Sequence, residues 1–265
     1  MNLSIVTINY NAASSTIKMI RSVRGVLEGA SFVWEIIVVD NGSSPDESVV
    51  MDDMSGVVLI RSECNLGFAG GNNLGIKVAK GEYVMLLNND IEIKEDIFTP
   101  IVKFFLENKK IGAVSPKIVY DKEPFAIQYG GYDACDRYMF AIKSTYHGMS
   151  EADVKDVAKQ TPFVHGASVM FSREAIERVG LMREDYFLYF EELDYSLRIT
   201  ECGYQIWYYP FVKVFHDASH TTSRNSYAKI YYNSRNRFYL ASNNLKGVDR
   251  VVAIASQMIF SLPKN

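Results

Sequence analysis

The chain has few cysteines, no long apolar run and no strong excess of either charge. Its three cysteines, Cys64, Cys135 and Cys202, are scattered over 265 residues without a CxxC pair. That argues against a disulfide framework and for a reducing compartment, so a cytoplasmic location is expected. No apolar stretch reaches the roughly 18 to 20 residues needed to span a bilayer. The longest, Val251 to Leu262, is shorter and is broken by Gln257. The opening MNLSIVTINYN enters a strand pattern without a basic segment or a cleavage site, so no signal peptide is expected. Lys and Arg number 28 against 31 Asp and Glu, a net charge of −3. A nucleic-acid binder usually carries a basic stripe, so no nucleic-acid partner is expected. There is no GK[ST] after a glycine-rich loop, which excludes a P-loop nucleoside triphosphatase. No internal repeat, low-complexity tract or obvious linker appears.

What is present is a chain 48% hydrophobic, large enough to bury a substantial core. Its first half alternates strand and helix patterns. Leu3 to Ile8, Trp34 to Val39, Val57 to Ile60, Tyr83 to Leu87 and Ile111 to Ser115 read as strands. Ser14 to Glu28 carries a helical stripe at Ile17, Ile20, Val23 and Leu27. Ser44-Pro45-Asp46-Glu47 has the chemistry of a capped helix start. Gly67 to Lys80 reads as a loop leading into a helix, and Asp96 to Asn108 as a further helix. This rhythm predicts a mainly parallel sheet with right-handed crossovers.

The second half is less regular. Residues 121–160 show no period and read as a loop-rich insertion that could cover a site. Val164 to Phe171 is an expected strand, with Ser172 capping a short helix that ends near Gly180. Glu191 to Cys202 is an expected helix closed by Gly203. Tyr204 to Tyr209 and Val212 to Phe215 read as strands on either side of Pro210. Tyr227 to Asn243 and Val248 to Phe260 read as helices.

Chemistry concentrates at strand ends. YVMLLNNDIEI, residues 83–93, is a buried strand running into Asn88-Asn89-Asp90. Open α/β sheets bind ligands at that edge. Asp90 can supply a hard oxygen ligand to a cation, and His216, which ends another apolar strand, a nitrogen ligand. Asp90 is equally suited to a turn, and His216 to a hydrogen-bonded core. Asn65, Gly67, Gly70, Gly71 and Asn73 form a Gly/Asn-rich stretch whose backbone could approach a phosphate or ribose, or simply turn. Tyr10, with the backbone of Ile8, ends the first strand and could flank a base. Asp40 follows WEIIVV as an acceptor-only carboxylate or a cap. Glu191, Glu192 and Asp194 open a helix, where acids also complement the dipole. Asp194 can pair with Arg198 at i+4. His165 can hydrogen-bond a ligand or serve the structure, and the small Gly166 and Ala167 suit either a ligand's ring or close strand packing.

The ordered set TINYN, VVDNGS, NLGFAGGNN, LLNND, GASVMFSR, YFLYFEELDYSLR and VFHD resembles the family-2 glycosyltransferases with a GT-A fold. It is most similar to the bacterial branch of rhamnosyl- and galactofuranosyltransferases that build cell-surface polysaccharides. The resemblance spans about residues 3–240. It implies an inverting enzyme that moves a sugar from a nucleotide diphosphate donor, dTDP-rhamnose or a UDP-sugar, to a saccharide or lipid-linked acceptor. It also implies a divalent cation, Mg2+ or Mn2+, on the diphosphate, held by Asp90 and His216. Asp40 would meet the N3–H of a pyrimidine, and Ile8, Tyr10, Asn65, Gly70, Asn73, Asn88 and Asn89 would line the donor. His165, Gly166 and Ala167 would line the sugar or acceptor. The base would be the second acid of the pair, Glu192, with Glu191 as runner-up. The chain departs from the family's DXD motif, since Asn88 stands at its first acidic position.

The corresponding domain plan is a catalytic domain over 1–222, its nucleotide-binding half about 1–115 and its acceptor half about 116–222, then a C-terminal helical extension over 223–265. That extension alternates aromatic and basic residues, among them Tyr231, Tyr232, Arg235 and Arg237. This pattern suits either a peripheral contact with the inner face of the plasma membrane or a helix packed on the domain. Two other functions remain: a nucleotidyltransferase that makes nucleotide sugars, and a non-catalytic carbohydrate-binding relative in which Asn88 marks a decayed site.

Overall fold

The computed structural model describes residues 2–47, 56–122, 125–133, 136, 138, 140, 142–217 and 227–260. The strands are β1 (Asn2–Asn9), β2 (Val33–Asn41), β3 (Val57–Ser62), β4 (Tyr83–Leu87), β5 (Ile91–Glu92), β6 (Ile111–Tyr120), β7 (Ile127–Tyr129), β8 (Lys159–Gln160), β9 (Ser168–Ser172) and β10 (Gln205–His216). The helices are α1 (Ala13–Leu27), α2 (Gly67–Val78), α3 (Phe98–Glu107), α4 (Arg173–Val179), α5 (Glu191–Glu201), α6 (Tyr227–Asn244) and α7 (Gly247–Phe260).

One sheet runs through the molecule in the order β3-β2-β1-β4-β9-β6-β10-β5, with β7 on β6 and β8 on β10. β1, β2, β3 and β4 are parallel, and β10 is parallel to β6. The expected parallel sheet is interrupted at its centre, because β9 lies antiparallel to both β4 and β6. That reversal brings the residues just before Ser168 to the edge where β1, β2 and β4 end.

Side chains alternate across the sheet, so both faces are buried. Leu3, Ile5, Met85 and Leu87 join α1 and α3 in one core through Met19, Ile20, Val23, Phe98 and Ile101. Val6, Val84 and Leu86 join α2, α4 and α5 in a second core through Ala69, Ile76, Ile176, Tyr195 and Ile199. The glycines of α2 serve that packing: a Cβ at Gly75 would lie 2.3 Å from Val6 Cγ1, and one at Gly71 would lie 2.8 Å from Ile8 Cδ1. The predicted loop after Gly67 is therefore helix from Gly67 onward, pressed onto the sheet. A third cluster, with Phe163, Tyr186, Phe190, Leu193, Leu240 and Ala253, attaches α6 and α7.

Several boundaries differ from the sequence reading for local reasons. Ser44 to Glu47 is irregular, and the remainder of the helix predicted there falls outside the described residues. The Glu47 carboxylate accepts instead from the backbone N–H groups of Ala12 and Ala13, at 2.8 and 3.0 Å, and so serves the start of α1. The strand expected from Val164 begins only at Ser168, because Ser168 N–H closes a turn onto His165 O at 3.2 Å. The two strands expected around Pro210 are one strand, β10, with a register shift between Tyr209 and Lys213. Ser172 caps α4 as expected, accepting from Ala175 N–H. The insertion over 121–160 is largely irregular. It is pinned to the sheet where Lys117 Nζ meets Glu151 at 3.1 Å and Asp156 at 2.7 Å, and where Lys213 reaches Glu151 at 2.8 Å. Cys64 and Cys202 are free and exposed, while Cys135 and His220 fall outside the described residues. Among the described residues, no helix is long and apolar enough to cross a membrane.

Candidate active site

The strand-end residues do gather at one edge, and they fall into two groups of different character. The first surrounds the ends of β1, β2 and β4. Asp40 is 0% exposed. Its Oδ1 accepts from Asn9 Nδ2 at 3.0 Å and from the Ser43 hydroxyl at 2.5 Å. Asn9 Oδ1 accepts from Thr16 Oγ1 at 2.7 Å, and Thr16 Oγ1 accepts from Asn89 Nδ2 at 3.0 Å. This relay locks three strand ends together. Asp40 Oδ2 lies 3.5 Å from Arg61 Nη1, which also meets Asp46. Tyr10 stands beside them, 47% exposed, and Ile8 is half-buried. Asn88 is held by its own N–H, which donates to Ala167 O at 2.9 Å.

The Gly/Asn-rich stretch is committed to structure. Asn65 Oδ1 accepts from Gly67 N–H at 2.8 Å, and Phe68 N–H donates to Phe187 O at 2.7 Å. Asn73 is buried and binds Met182 through both ends of its amide and Glu184 through Nδ2. A Cβ on Gly70 would meet Leu66 Cβ at 2.7 Å.

The second group lies toward β9, β10 and α5. Asp90 Oδ1 and His216 Nε2 are 3.1 Å apart, with side chains 5% and 8% exposed. His216 Nδ1 lies 2.6 Å from Gln128 Oε1, which orients the ring so that Nε2 faces the carboxylate. A nitrogen and a carboxylate oxygen this close are satisfied by a proton on the ring or by a cation between them, and their chemistry fits a divalent cation. Among the described residues no cluster of three or more His, Cys, Asp or Glu is gathered for a metal, so other ligands would complete its shell. A cavity of about 280 Å³ opens beside Asp90, lined also by Ser14, Lys18, Glu92 and Asp121.

His165 lies between the cation pair and the acids. Its Nδ1 accepts from Ala167 N–H at 3.2 Å, so its proton sits on Nε2. Burial, with His216 and His147 nearby, pushes its pKa down to about 3, and the ring stays neutral. It stacks on Tyr132 at 6.4 Å and 13°. Next in the chain, a Cβ on Gly166 would lie 3.3 Å from Phe68 Cζ and 4.0 Å from Glu192 Cβ. Glycine thus lets the chain pass close to both the Phe68 ring and Glu192.

Glu191 and Glu192 begin α5. One oxygen of each carboxyl, Oε2, is buried without a hydrogen-bond partner. Burial raises both groups. Glu192 is pushed up to about 7, while Glu191, buried and next to the Glu192 charge, goes well above the usual carboxylate range. The backbone reaches them in a strained form: Phe187, Tyr189 and Phe190 have φ of +63, +68 and +74°. Such non-glycine geometries cost about 1–3 kcal/mol each and collect at functional sites. Asp194, the third acid of the cluster, is occupied. Its carboxylate accepts from Arg198 at 2.9 Å, Asn244 at 2.9 Å and Tyr186 at 3.2 Å. That is the structural pairing its spacing allows.

Gln128, Tyr129 and Tyr132 were not singled out by sequence. They come from the irregular insertion, and a strand of three residues, β7, gives too short a pattern to mark them. The arginines of α6 also behave unlike a lipid-facing stripe. Arg235 Nη2 donates to Asp185 O and Tyr186 O, and Arg237 lies over the Phe190 ring.

A family model described as "Glycosyl transferase family 2" matches residues 4–180. The "Low-salt glycan biosynthesis hexosyltransferase Agl10" of Haloferax volcanii is 29% identical, over 94% of this chain and 79% of that protein. The "dTDP-rhamnosyl transferase RfbF" of Shigella flexneri is 25% identical, over 87% of this chain and 80% of its own. Among solved structures, GalNAc-T7 with UDP, GalNAc and Mn2+ superposes with a TM-score of 0.66 at 18% identity, over 91% of this chain. The chain spans 50% of the GalNAc-T7 chain. The mannosyltransferase PcManGT from Pyrobaculum calidifontis, with GDP-Man and Mn2+, gives 0.62 at 16% identity, over 98% of this chain and 69% of that one. The fold is the GT-A fold these glycosyltransferases share.

Proposed function

Because the chain belongs to glycosyl transferase family 2, we propose that it is an inverting transferase. It moves a sugar from a nucleotide diphosphate to an acceptor hydroxyl during polysaccharide or glycan synthesis, with Glu192 as general base. The observation that carries this reading is the state of Glu192. It is a carboxyl with a buried, unpartnered oxygen, raised to about 7, packed close to Gly166 in the segment that ends at the ligand edge of the sheet. A base poised near the working pH combines a useful ionised fraction with enough basicity to take the acceptor's proton as the new bond forms. Glu191, held higher, stays protonated and adds no second charge. The neutral His165 Nε2–H can orient a sugar hydroxyl without competing for the proton.

Asp90 and His216 would hold a divalent cation, Mg2+ or Mn2+, with diphosphate oxygens completing the shell. When bound, the cation supplies charge to offset the leaving diphosphate. Asn88 and Asn89 border that position, and Ile8, Tyr10 and Asp40 border the nucleoside end. Asn65, Gly70 and Asn73 shape the wall through packing and internal hydrogen bonds.

For the donor, the name of the relative RfbF supports dTDP-rhamnose, and the UDP bound to GalNAc-T7 supports a UDP-sugar. Thermal stabilisation by nucleotide diphosphates with Mg2+ or Mn2+ tests both. Ligand at about 100 times Kd should add about 2.7 kcal/mol. Asp40 is buried behind Arg61, so a pyrimidine reaches Oδ2 only if Arg61 swings aside. Equal stabilisation by ADP and UDP, unchanged in Asp40→Ala, would remove Asp40 from base recognition.

The domain plan, with a catalytic unit over 1–222 and a helical extension over 223–265, remains part of this proposal. So does a lipid-linked acceptor at the inner membrane face. Val248, Val251, Met258 and Ile259 on α7 are exposed and support a surface contact there. Failure to co-sediment with anionic vesicles at low salt would remove it.

A further inference from the structure

We propose that Asn236 and Arg235 on α6 are positioning residues for the base, clamping the 186–190 loop in the shape from which Glu192 projects. The proposal rests on the reading of Glu192 given above.

Phe187, Tyr189 and Phe190 all sit at positive φ, where L side chains are disfavoured. Three aromatic residues do not choose that geometry locally, so contacts from outside must impose it. Those contacts come from α6. Asn236 is 0% exposed. Its Nδ2 lies 2.9, 2.8 and 2.7 Å from the carbonyl oxygens of Tyr186, Leu188 and Tyr189. An amide nitrogen has two protons, so these three acceptors share them. Asn236 Oδ1 accepts from Arg235 Nε at 2.9 Å. Arg235 Nη2 in turn donates to Asp185 O at 2.9 Å and Tyr186 O at 2.7 Å. Phe187 O is taken by Phe68 N–H at 2.7 Å, and the Phe187 ring stacks on Tyr232 at 5.1 Å. Every carbonyl from Asp185 to Tyr189 is thus held by α6 or by the start of α2.

This arrangement replaces an ordinary helix cap. A Ser, Thr, Asp or Asn cap would fold its side chain over the first N–H groups of the helix. Phe190 caps α5 in the left-handed conformation without a side-chain bond. At the helix start the Glu192 carboxyl itself meets backbone N–H groups, those of Phe190 and Glu192, and the direction of the helix is set from behind by Asn236 and Arg235. Docking of α6 and placement of Glu192 against Gly166 are therefore one event.

The test compares Asn236→Ala and Arg235→Lys with Gln257→Ala. The Gln257 amide donates to Tyr138 O at 3.0 Å and loosens the same helical layer away from the loop. Asn236→Ala should lower kcat by about 10²-fold, the size of effect that small misplacement produces. Donor Kd should change less than about twofold, and the pH midpoint of kcat/KM should fall as Glu192 gains solvent. Amide exchange at residues 187–190 should speed up. If Asn236→Ala does not fold, Arg235→Lys should show the same pattern with kcat lowered about three- to tenfold. Loss of stability with unchanged kcat and midpoint, as expected for Gln257→Ala, would overturn the proposal. If Glu192→Gln turns over normally, the base reading itself fails. Carbon-13 titration of the Glu192 carboxyl and amide exchange then still decide whether the clamp sets this helix start, because neither needs turnover.

Discussion

At the ends of β1 and β2, Asp40 accepts from Asn9 and Ser43 and faces Arg61; at the start of α5, Glu192 keeps a buried oxygen with no partner at all. Both are acids at the same edge of one sheet. A buried carboxylate with its acceptors filled is rigid, and it holds strand ends in place. An unsatisfied one costs free energy, resists ionisation, and is ready to take a proton. The same contrast repeats within one helical turn, since Asp194 is fully engaged with Arg198, Asn244 and Tyr186. The two acids thus differ in how many acceptor positions are filled, and the proposed base is the less satisfied one.

The largest break in that comparison is Glu192→Gln. It retains shape and hydrogen bonding but cannot accept a proton, so turnover should fall by about 10²–10⁴-fold with donor affinity retained. The fold should gain stability near pH 8. The carboxyl is raised in the folded protein, so its penalty is absent below the ordinary carboxylate pKa and grows as pH rises toward about 7. Removing it should add on the order of 1–2 kcal/mol, or roughly 2–8 °C in Tm. A normal turnover number in Glu192→Gln with a loss in Glu191→Gln would move the base one residue earlier.

Asp194→Ala should do the opposite. It strands Arg198 in a largely buried setting, and breaking such a pair costs about 3–5 kcal/mol, or roughly 6–20 °C. The surviving folded fraction should retain the metal dependence and pH midpoint of the parent, measured under donor-stabilised conditions. A shifted midpoint would mean that Asp194 also sets the placement of Glu192, through Asn244 and Tyr186.

A smaller effect sharpens the cation end. Asp90→Ala and His216→Ala should each lower activity about 10- to 10²-fold and raise the Mg2+ or Mn2+ concentration needed. The double variant should cost little more than either single one, since both remove ligands of one ion. Fully additive losses would mean that the two side chains act separately.

Much of this arrangement is legible in the sequence. Buried strands advertise themselves by apolar runs that stop at polar residues, which places Asp40, Asn88 to Asp90 and His216 at one edge. The start and end of α5 follow from its acids and from Gly203, whose φ of +88° suits a residue without a Cβ. What stays hidden depends on long-range pairing. Nothing local reveals that β9 runs antiparallel between β4 and β6, which is what carries His165 and Gly166 to the edge. Gln128 and Tyr132 reach the site from a segment without a period. Arg235 and Asn236 read as part of a basic-aromatic stripe, but their side chains turn inward to carbonyls nearly fifty residues away in sequence, as in the Asn236–Tyr186 bond with a separation of 50. Glu47 has the spacing of a capping box for its own segment and serves α1 instead.

The most direct test is the pH dependence of kcat/KM between pH 5 and 9, with the nucleotide sugar chosen by thermal stabilisation and the cation saturating. Glu192 must be ionised to act, and its carboxyl is raised to about 7. The rate should therefore climb about tenfold per pH unit on the acid side and level off above a midpoint near 7, and Glu192→Gln should lose that limb. A parent midpoint in the ordinary carboxylate range, or an acid limb that survives in Glu192→Gln, would contradict the assignment of Glu192 as the base.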